Sequence, residues 1–123
     1  MKQKQLFLNQ EGDNWLQRNS TSLKKIDYSI DPVVLQLRKI LKYEDRKMNI
    51  LEIGCSNAKR LSYLRDKFNV EVFGVEPSPK AVEIACKEGV DCRIGVADEL
   101  PFDNGFFDVV IFGFCLYLCD EED

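Results

Sequence analysis

From residue 49 to residue 112 the chain alternates short apolar runs with longer stretches whose apolar residues recur every three or four positions. That alternation leaves few folds open. Asn49-Ile50-Leu51-Glu52-Ile53 reads as a strand ended by Gly54, and a helix from about Asn57 puts Leu61, Leu64 and Phe68 on one face. Residues 70–75 read as a second strand. Pro77 or Ser78 opens a second helix, with Ala81, Val82, Ile84 and Ala85 apolar and Gly89 closing it. Residues 90–94 form a third strand. Residues 107–112 form a fourth, almost uniformly hydrophobic and so expected to be buried on both faces. Strands separated by helices of this length pair in parallel through right-handed crossovers. The fold class is therefore α/β, a doubly wound parallel sheet, here an incomplete one of about four strands with flanking helices.

Upstream, Asp31-Pro32 places a capping carboxylate before a proline at the first helical position. Val33, Val34, Leu37, Ile40 and Leu41 then mark one apolar face to about Tyr43. Residues 1–30 are polar and less regular, with a short helix expected around residues 13–19. They are assigned as a lead-in to a single domain of residues 31–123. Asp120-Glu121-Glu122-Asp123 resembles a cap and the acidic first turn of a further helix, so the domain is expected to continue.

Composition removes several function classes. The chain contains no histidine, which excludes Ser-His-Asp and Cys-His catalysis and imidazole metal ligation. Seventeen basic against 21 acidic residues give a net charge of −4, a poor match for a phosphate backbone, so no nucleic-acid partner is expected. No apolar run approaches the roughly 20 residues that span a bilayer, so no membrane partner is expected either. Five cysteines, an odd number without a secretory signal, read as reduced thiols in the cytoplasm, with no metal site.

Three turns carry the chemistry. In such a sheet ligands bind beyond the carboxyl ends of the strands, and the turn after the first strand must let a ligand approach the backbone. Gly54 permits this, Ser56 and Ala58 are the next smallest residues, and the helix behind them aims its amides at the same crevice. Glu76 ends the second strand, where a carboxylate can accept hydrogen bonds from both ribose hydroxyls. After the third strand comes Gly95-Val96-Ala97-Asp98-Glu99-Leu100-Pro101-Phe102, in which Asp98 can accept from an adenine amino group. Leu100 and Phe102 there can pack on the ring. An ordinary turn, a helix cap and a loop aspartate are the plain alternatives for the three.

Together these segments resemble the class I S-adenosylmethionine-dependent methyltransferases, over residues 49–118. Leu51-Glu52-Ile53-Gly54-Cys55 is similar to the first motif of that family and Gly74-Val75-Glu76-Pro77-Ser78 to the second. Ala97-Asp98-Glu99-Leu100-Pro101-Phe102 and Phe107-Asp108-Val109-Val110 are similar to later ones. The resemblance implies S-adenosyl-L-methionine as cofactor, held by Glu52, Gly54, Ser56, Glu76, Pro77, Ala97, Asp98, Glu99 and Leu100. Glu52 and Gly54 would lie by the methionine part, Glu76 on the ribose and Asp98 at the adenine. Ser56 and Ala58 depart from the glycines usual there and imply altered loop geometry. The family's strand order is 3-2-1-4-5-7-6, which makes a fourth strand without later neighbours an edge. The resemblance further implies methyl transfer to a small-molecule acceptor, with the catalytic base unassigned among Asp, Glu, Lys and Tyr. A non-catalytic adenosyl-binding half-domain, dimerising through a 107–118 surface, and an NAD-binding module are the competing readings. Gly54 alone of a G-x-G-x-x-G pattern argues against the latter.

Overall fold

The computed structural model describes residues 13, 14, 17, 26–96, 100–103 and 105–113. Four strands and three helices lie in this part: α1 (Pro32–Leu41), β1 (Met48–Ile53), α2 (Lys59–Lys67), β2 (Val70–Glu76), α3 (Pro79–Lys87), β3 (Asp91–Ile94) and β4 (Val109–Phe112). A 3-10 turn, Tyr28–Ile30, precedes α1. The strands run in order β3-β2-β1-β4, all parallel, with Met48 opposite Val70, Ile50 opposite Val109 and Phe73 opposite Asp91. Successive strands move outward from β1 to β3, and then β4 returns to the other side of β1. The direction of winding therefore switches beside β1, and in sheets of this kind the carboxyl end of the strand at the switch is where a ligand crevice forms.

Local chemistry explains the helix ends. Asp31 accepts from the Val34 amide at 3.1 Å and Pro32 supplies the fixed φ of the first turn. Ser78 caps α3 in the same way through the Ala81 amide at 3.2 Å, followed by Pro79. Helix α2 has no such cap. It starts at Lys59, two residues later than the apolar pattern suggests, because Ala58 stands in the left-handed conformation at φ 60°.

Side chains alternate across the sheet as the strand period requires. One face buries Met48, Ile50, Val70, Val72, Cys92 and Ile111 under Val34 and Leu37 of α1, Leu61 and Leu64 of α2, and Val82 and Ala85 of α3. On the other face Leu51, Ile53 and Val75 pack against Phe73, Phe102 and Phe107, whose rings meet edge to face. At Gly74 the first face depends on an absent side chain. A Cβ there would stand 2.6 Å from Cys55 Sγ and 3.3 Å from Cys92 Sγ, and these two thiols meet over the glycine at 3.5 Å.

β4 corrects an expectation. Ile111 is buried, but Val110 and Phe112 are 44% and 55% exposed, so the strand is buried on one face only. The apolar run reports strand tendency; it does not report how many layers flank it. Among the described residues the Val110 and Phe112 side has only the phenylalanine cluster for cover. The helix expected around residues 13–19 is represented by helical backbone at Asp13, Asn14 and Gln17. The rest of that helix, Trp15, Ala97, Asp98, Glu99 and residues 114–123 lie outside the described residues.

Candidate cofactor site at the switch point

Both candidate carboxylates fall on the helix-covered face, Glu52 one residue before the end of β1 and Glu76 at the end of β2. The parity of the strands puts them there: Glu52 shares its face with Ile50, and Glu76 with Val72 and Gly74. Between them runs the loop 54–58, with Gly54 at φ 77°, Ser56 at φ 53° and Ala58 at φ 60°. The turn therefore has the left-handed residues that glycines would occupy. Ser56 and Ala58, which stand where the resembled family has glycine, adopt this backbone against steric resistance.

Hydrogen bonds from the neighbouring strand keep it in place. The Gly54 amide donates to Val75 O at 2.8 Å and the Ser56 amide to Glu76 Oε1 at 2.9 Å. Glu76 Oε2 accepts from the Ser78 amide at 2.7 Å. One carboxylate thus spans the turn after β1 and the N-terminus of α3, with Pro77 buried between. Four lone-pair positions minus two amides leave Glu76 able to accept two more donors, the number a ribose diol brings. Burial pushes its carboxyl up to about 7 against the two amides, and the nearby Asp13 carboxylate adds to the rise. Asp13 itself accepts from Ser78 Oγ and from the Lys80 amide, fastening the lead-in to the start of α3.

Glu52 is held differently. Its Oε2 accepts from Arg60 Nη1 at 2.6 Å, while Oε1 is buried and without a hydrogen-bond partner. Burial pushes this carboxyl also up to about 7, Arg60 opposing and Asp31 and Glu76 assisting. At the β4 end of the crevice Gly113 donates its amide to Ile53 O at 2.8 Å, and a Cβ there would stand 2.5 Å from Gly54 O. Only glycine fits, so β4 closes onto the turn with bare backbone.

The third turn starts on the same rim: the Gly95 amide donates to Glu76 O at 3.2 Å. Leu100, 42% exposed, lines a cavity of about 610 Å³ with Phe73, Asp91, Arg93, Pro101, Phe102, Asp103 and Phe106. Glu52, Gly54, Ser56 and Glu76 do not line it. Glu52, Gly54, Ser56, Glu76 and Pro77 are thus brought together, and Leu100 lines the cavity that the third turn borders. Arg60, Asp31, Asp13 and Gly113 were not legible as site residues. In the sequence Asp31 reads as a helix cap, and the residue pattern assigns no role to Arg60, Asp13 or Gly113.

A methyltransferase-domain family profile matches residues 50–123, and the chain belongs to that family. Among curated proteins it is 27% identical over 88 residues to ajmaline N-methyltransferase of Rauvolfia serpentina, covering 64% of this chain and 30% of that protein. It is 29% identical over 75 residues to a probable chloroplastic tocopherol O-methyltransferase of Oryza sativa subsp. japonica, covering 54% and 21%. The chain therefore spans less than a third of the length of the curated relatives it matches. Of solved structures, the plantazolicin methyltransferase BpumL, in complex with a desmethyl plantazolicin analogue and SAH, superposes with a TM-score of 0.65 at 16% identity, covering 94% of this chain and 46% of that one. The amino pentose methyltransferase CalS10 of Micromonospora echinaspora, bound to SAM, gives 0.59 at 22%, covering 80% and 42%. At these identities the superpositions establish the Rossmann-like methyltransferase fold. S-adenosylmethionine is the cofactor of this family.

Proposed function

We propose that the chain is the cofactor-binding part of an S-adenosylmethionine-dependent methyltransferase that acts on a small-molecule acceptor. The observation that carries this reading is Glu76, whose buried carboxylate ties the glycine-turn amide to the helix amide and retains two acceptor positions. The unpartnered Glu52 Oε1 at the same crevice supports it, since a buried acceptor without a donor favours a ligand that brings one. In this reading Glu52, Gly54 and Ser56 hold the amino-acid end and Glu76 with Pro77 the ribose. Ala97, Asp98, Glu99 and Leu100 serve the adenine. The bound cofactor supplies a methyl group on a sulfonium, already joined to a good leaving group. What the chain contributes is orientation: two fixed carboxylates and a rigid turn hold the donor in one pose for in-line attack.

Residues 31–123 form the domain in this reading, with the lead-in 1–30 fastened through Asp13. The relatives' names, which give ajmaline and a tocopherol as acceptors, support small molecules as the class, as does the net charge of −4 against nucleic acid. The exposed Val110 and Phe112 support pairing of a second copy across a 107–118 surface. Free Cys55, Cys86 and Cys92 support a reducing, cytoplasmic setting, and no helix among the described residues is long and apolar enough to cross a membrane.

Titration calorimetry tests the cofactor reading. S-adenosylhomocysteine is expected to bind with saturable heat and NAD to give none. Binding of NAD, or silence with S-adenosylhomocysteine, overturns it.

A further inference from the structure

One side chain joins two acidic groups that lie on different elements. Arg60, in the first turn of α2, donates Nη1 to Glu52 Oε2 at 2.6 Å. Its Nε and Nη2 reach Asp31 Oδ2 and Oδ1 at 2.9 and 3.2 Å. The side chains of Arg60, Glu52 and Asp31 are 18%, 4% and 10% exposed, so the cluster is largely withdrawn from water. Asp31 is also the cap of α1, which gives its carboxylate the Val34 amide as a further donor. Every polar atom of the Asp31 and Glu52 carboxylates is therefore accounted for except Glu52 Oε1.

The arithmetic of charge points the same way. Two carboxylates face one guanidinium, and Glu76 at the end of β2 adds to the negative side. A buried cluster with an excess of negative charge and one unpaired acceptor is completed by a ligand that brings a positive hydrogen-bond donor. The planar guanidinium fork can hold two carboxylates in one fixed arrangement, which a lysine ammonium cannot reproduce.

We propose, resting on the cofactor reading above, that Arg60 is a positioning residue. By engaging Glu52 Oε2 and both oxygens of Asp31, it fixes the Glu52 carboxylate with Oε1 left for the ammonium of the cofactor's amino-acid end. Through Asp31 it also makes the start of α1 part of the same site. Arg60 touches no reacting atom; it acts through Glu52.

The test compares two ligands with the same adenosine. S-adenosylhomocysteine carries the amino-acid end, and 5′-methylthioadenosine lacks it. In Arg60→Met, S-adenosylhomocysteine should bind roughly tenfold or more weakly, the cost of disturbing a charge-assisted contact, while 5′-methylthioadenosine stays within about twofold. Arg60→Lys should recover only part of the loss. Adding Arg60→Met to Glu52→Gln should weaken S-adenosylhomocysteine no further, because the residue acts through that carboxylate. Equal weakening of both ligands marks Arg60 as a general stabiliser of the fold and overturns the inference, as does unchanged affinity for S-adenosylhomocysteine. If thermal unfolding shows Arg60→Met to be unfolded, Asp31→Asn decides on the same criterion, since it loosens the fork and keeps both the guanidinium and a capping side chain. Wild-type chain that binds neither ligand instead overturns the cofactor reading, and this inference falls with it.

Discussion

Glu52 and Glu76 lie near the carboxyl ends of adjacent strands on the same face, both buried, both with carboxyls pushed up to about 7 by that burial. They differ in what holds them. Glu52 is met by a side chain, Arg60, and keeps one oxygen unpartnered; Glu76 is met by two backbone amides, one on each oxygen. A backbone amide is fixed by the fold and cannot turn away, so Glu76 is as much a strut as a ligand contact. A guanidinium on a flexible stem can be replaced or reoriented, so Glu52 can be tuned without moving the chain. One carboxylate thus ties two backbone segments together, and the other is held by a single side chain with one oxygen left over.

The contrast is sharpest at Glu76. Replacing it with alanine leaves the Ser56 and Ser78 amides without their acceptor, at about 1–3 kcal/mol for each one that stays buried. It also removes the proposed ribose contact. Glu76→Ala should therefore weaken S-adenosylhomocysteine and 5′-methylthioadenosine alike, by about a hundredfold or more. The unfolding free energy should fall by about 3 kcal/mol, read by chemical denaturation. Retained affinity for 5′-methylthioadenosine would break the comparison, because it would show Glu76 serving the frame alone.

pH gives the next largest effect, and here the two acids act in the same direction. Each has a folded pKa near 7 against an ordinary value of 4.5, so between those limits the native state binds more protons than the unfolded chain. Unfolding free energy then decreases as pH rises through that window, by about 3 kcal/mol for each acid when its whole shift is realised. Asp108 runs oppositely, held down by the Arg46 guanidinium and the Asn49 amide, but it acts below its ordinary 3.8, outside the window. Denaturation of ligand-free chain should show greater stability at pH 5 than at pH 7.5. Ligand affinity should show the reverse, because both carboxylates are wanted as acceptors. Glu76→Gln and Glu52→Gln should each flatten the stability slope in part. A slope unchanged in either variant assigns the whole effect to the other acid.

Much of this frame is legible in the residue pattern, and the reason is periodicity. Ile50, Leu51 and Ile53, or Leu61 and Leu64, declare strand and helix faces because burial acts on every turn or pleat. Glu52 and Glu76 stand out because a charge at the end of an apolar strand has no place in a core. Arg60 does not stand out. It lies among Lys59, Arg65 and Lys67 on a short helix, and only the tertiary approach of Asp31 and Glu52 separates it from a solvated surface charge. Gly113 is silent for a similar reason: its constraint is the carbonyl of Gly54, a neighbour that exists only once β4 has paired with β1. The one-sided burial of β4 depends on layers of structure, which no single strand encodes.

The smallest prediction concerns the turn between the two acids, where Ser56 and Ala58 adopt a conformation that costs most residues about 1 kcal/mol or more. Glycine removes that strain at either position but widens the freedom of the unfolded chain, at roughly 0.5–1 kcal/mol. What remains is the side chain. Ala58 is fully buried, so its methyl contributes about 0.8 kcal/mol that glycine forfeits, and Ala58→Gly should leave stability nearly unchanged or slightly reduced. Ser56 carries a buried hydroxyl without a hydrogen-bond partner, so Ser56→Gly removes an uncompensated polar group together with the strain. That variant should be more stable by about 1 kcal/mol, a rise of roughly 4 °C in Tm for a chain of this size. The Ser56 amide that meets Glu76 is retained, so ligand affinity should stay within about twofold. A lower Tm for Ser56→Gly than for Ala58→Gly would mean that the serine hydroxyl has a partner in solution, and that the turn is held by more than the Glu76 carboxylate.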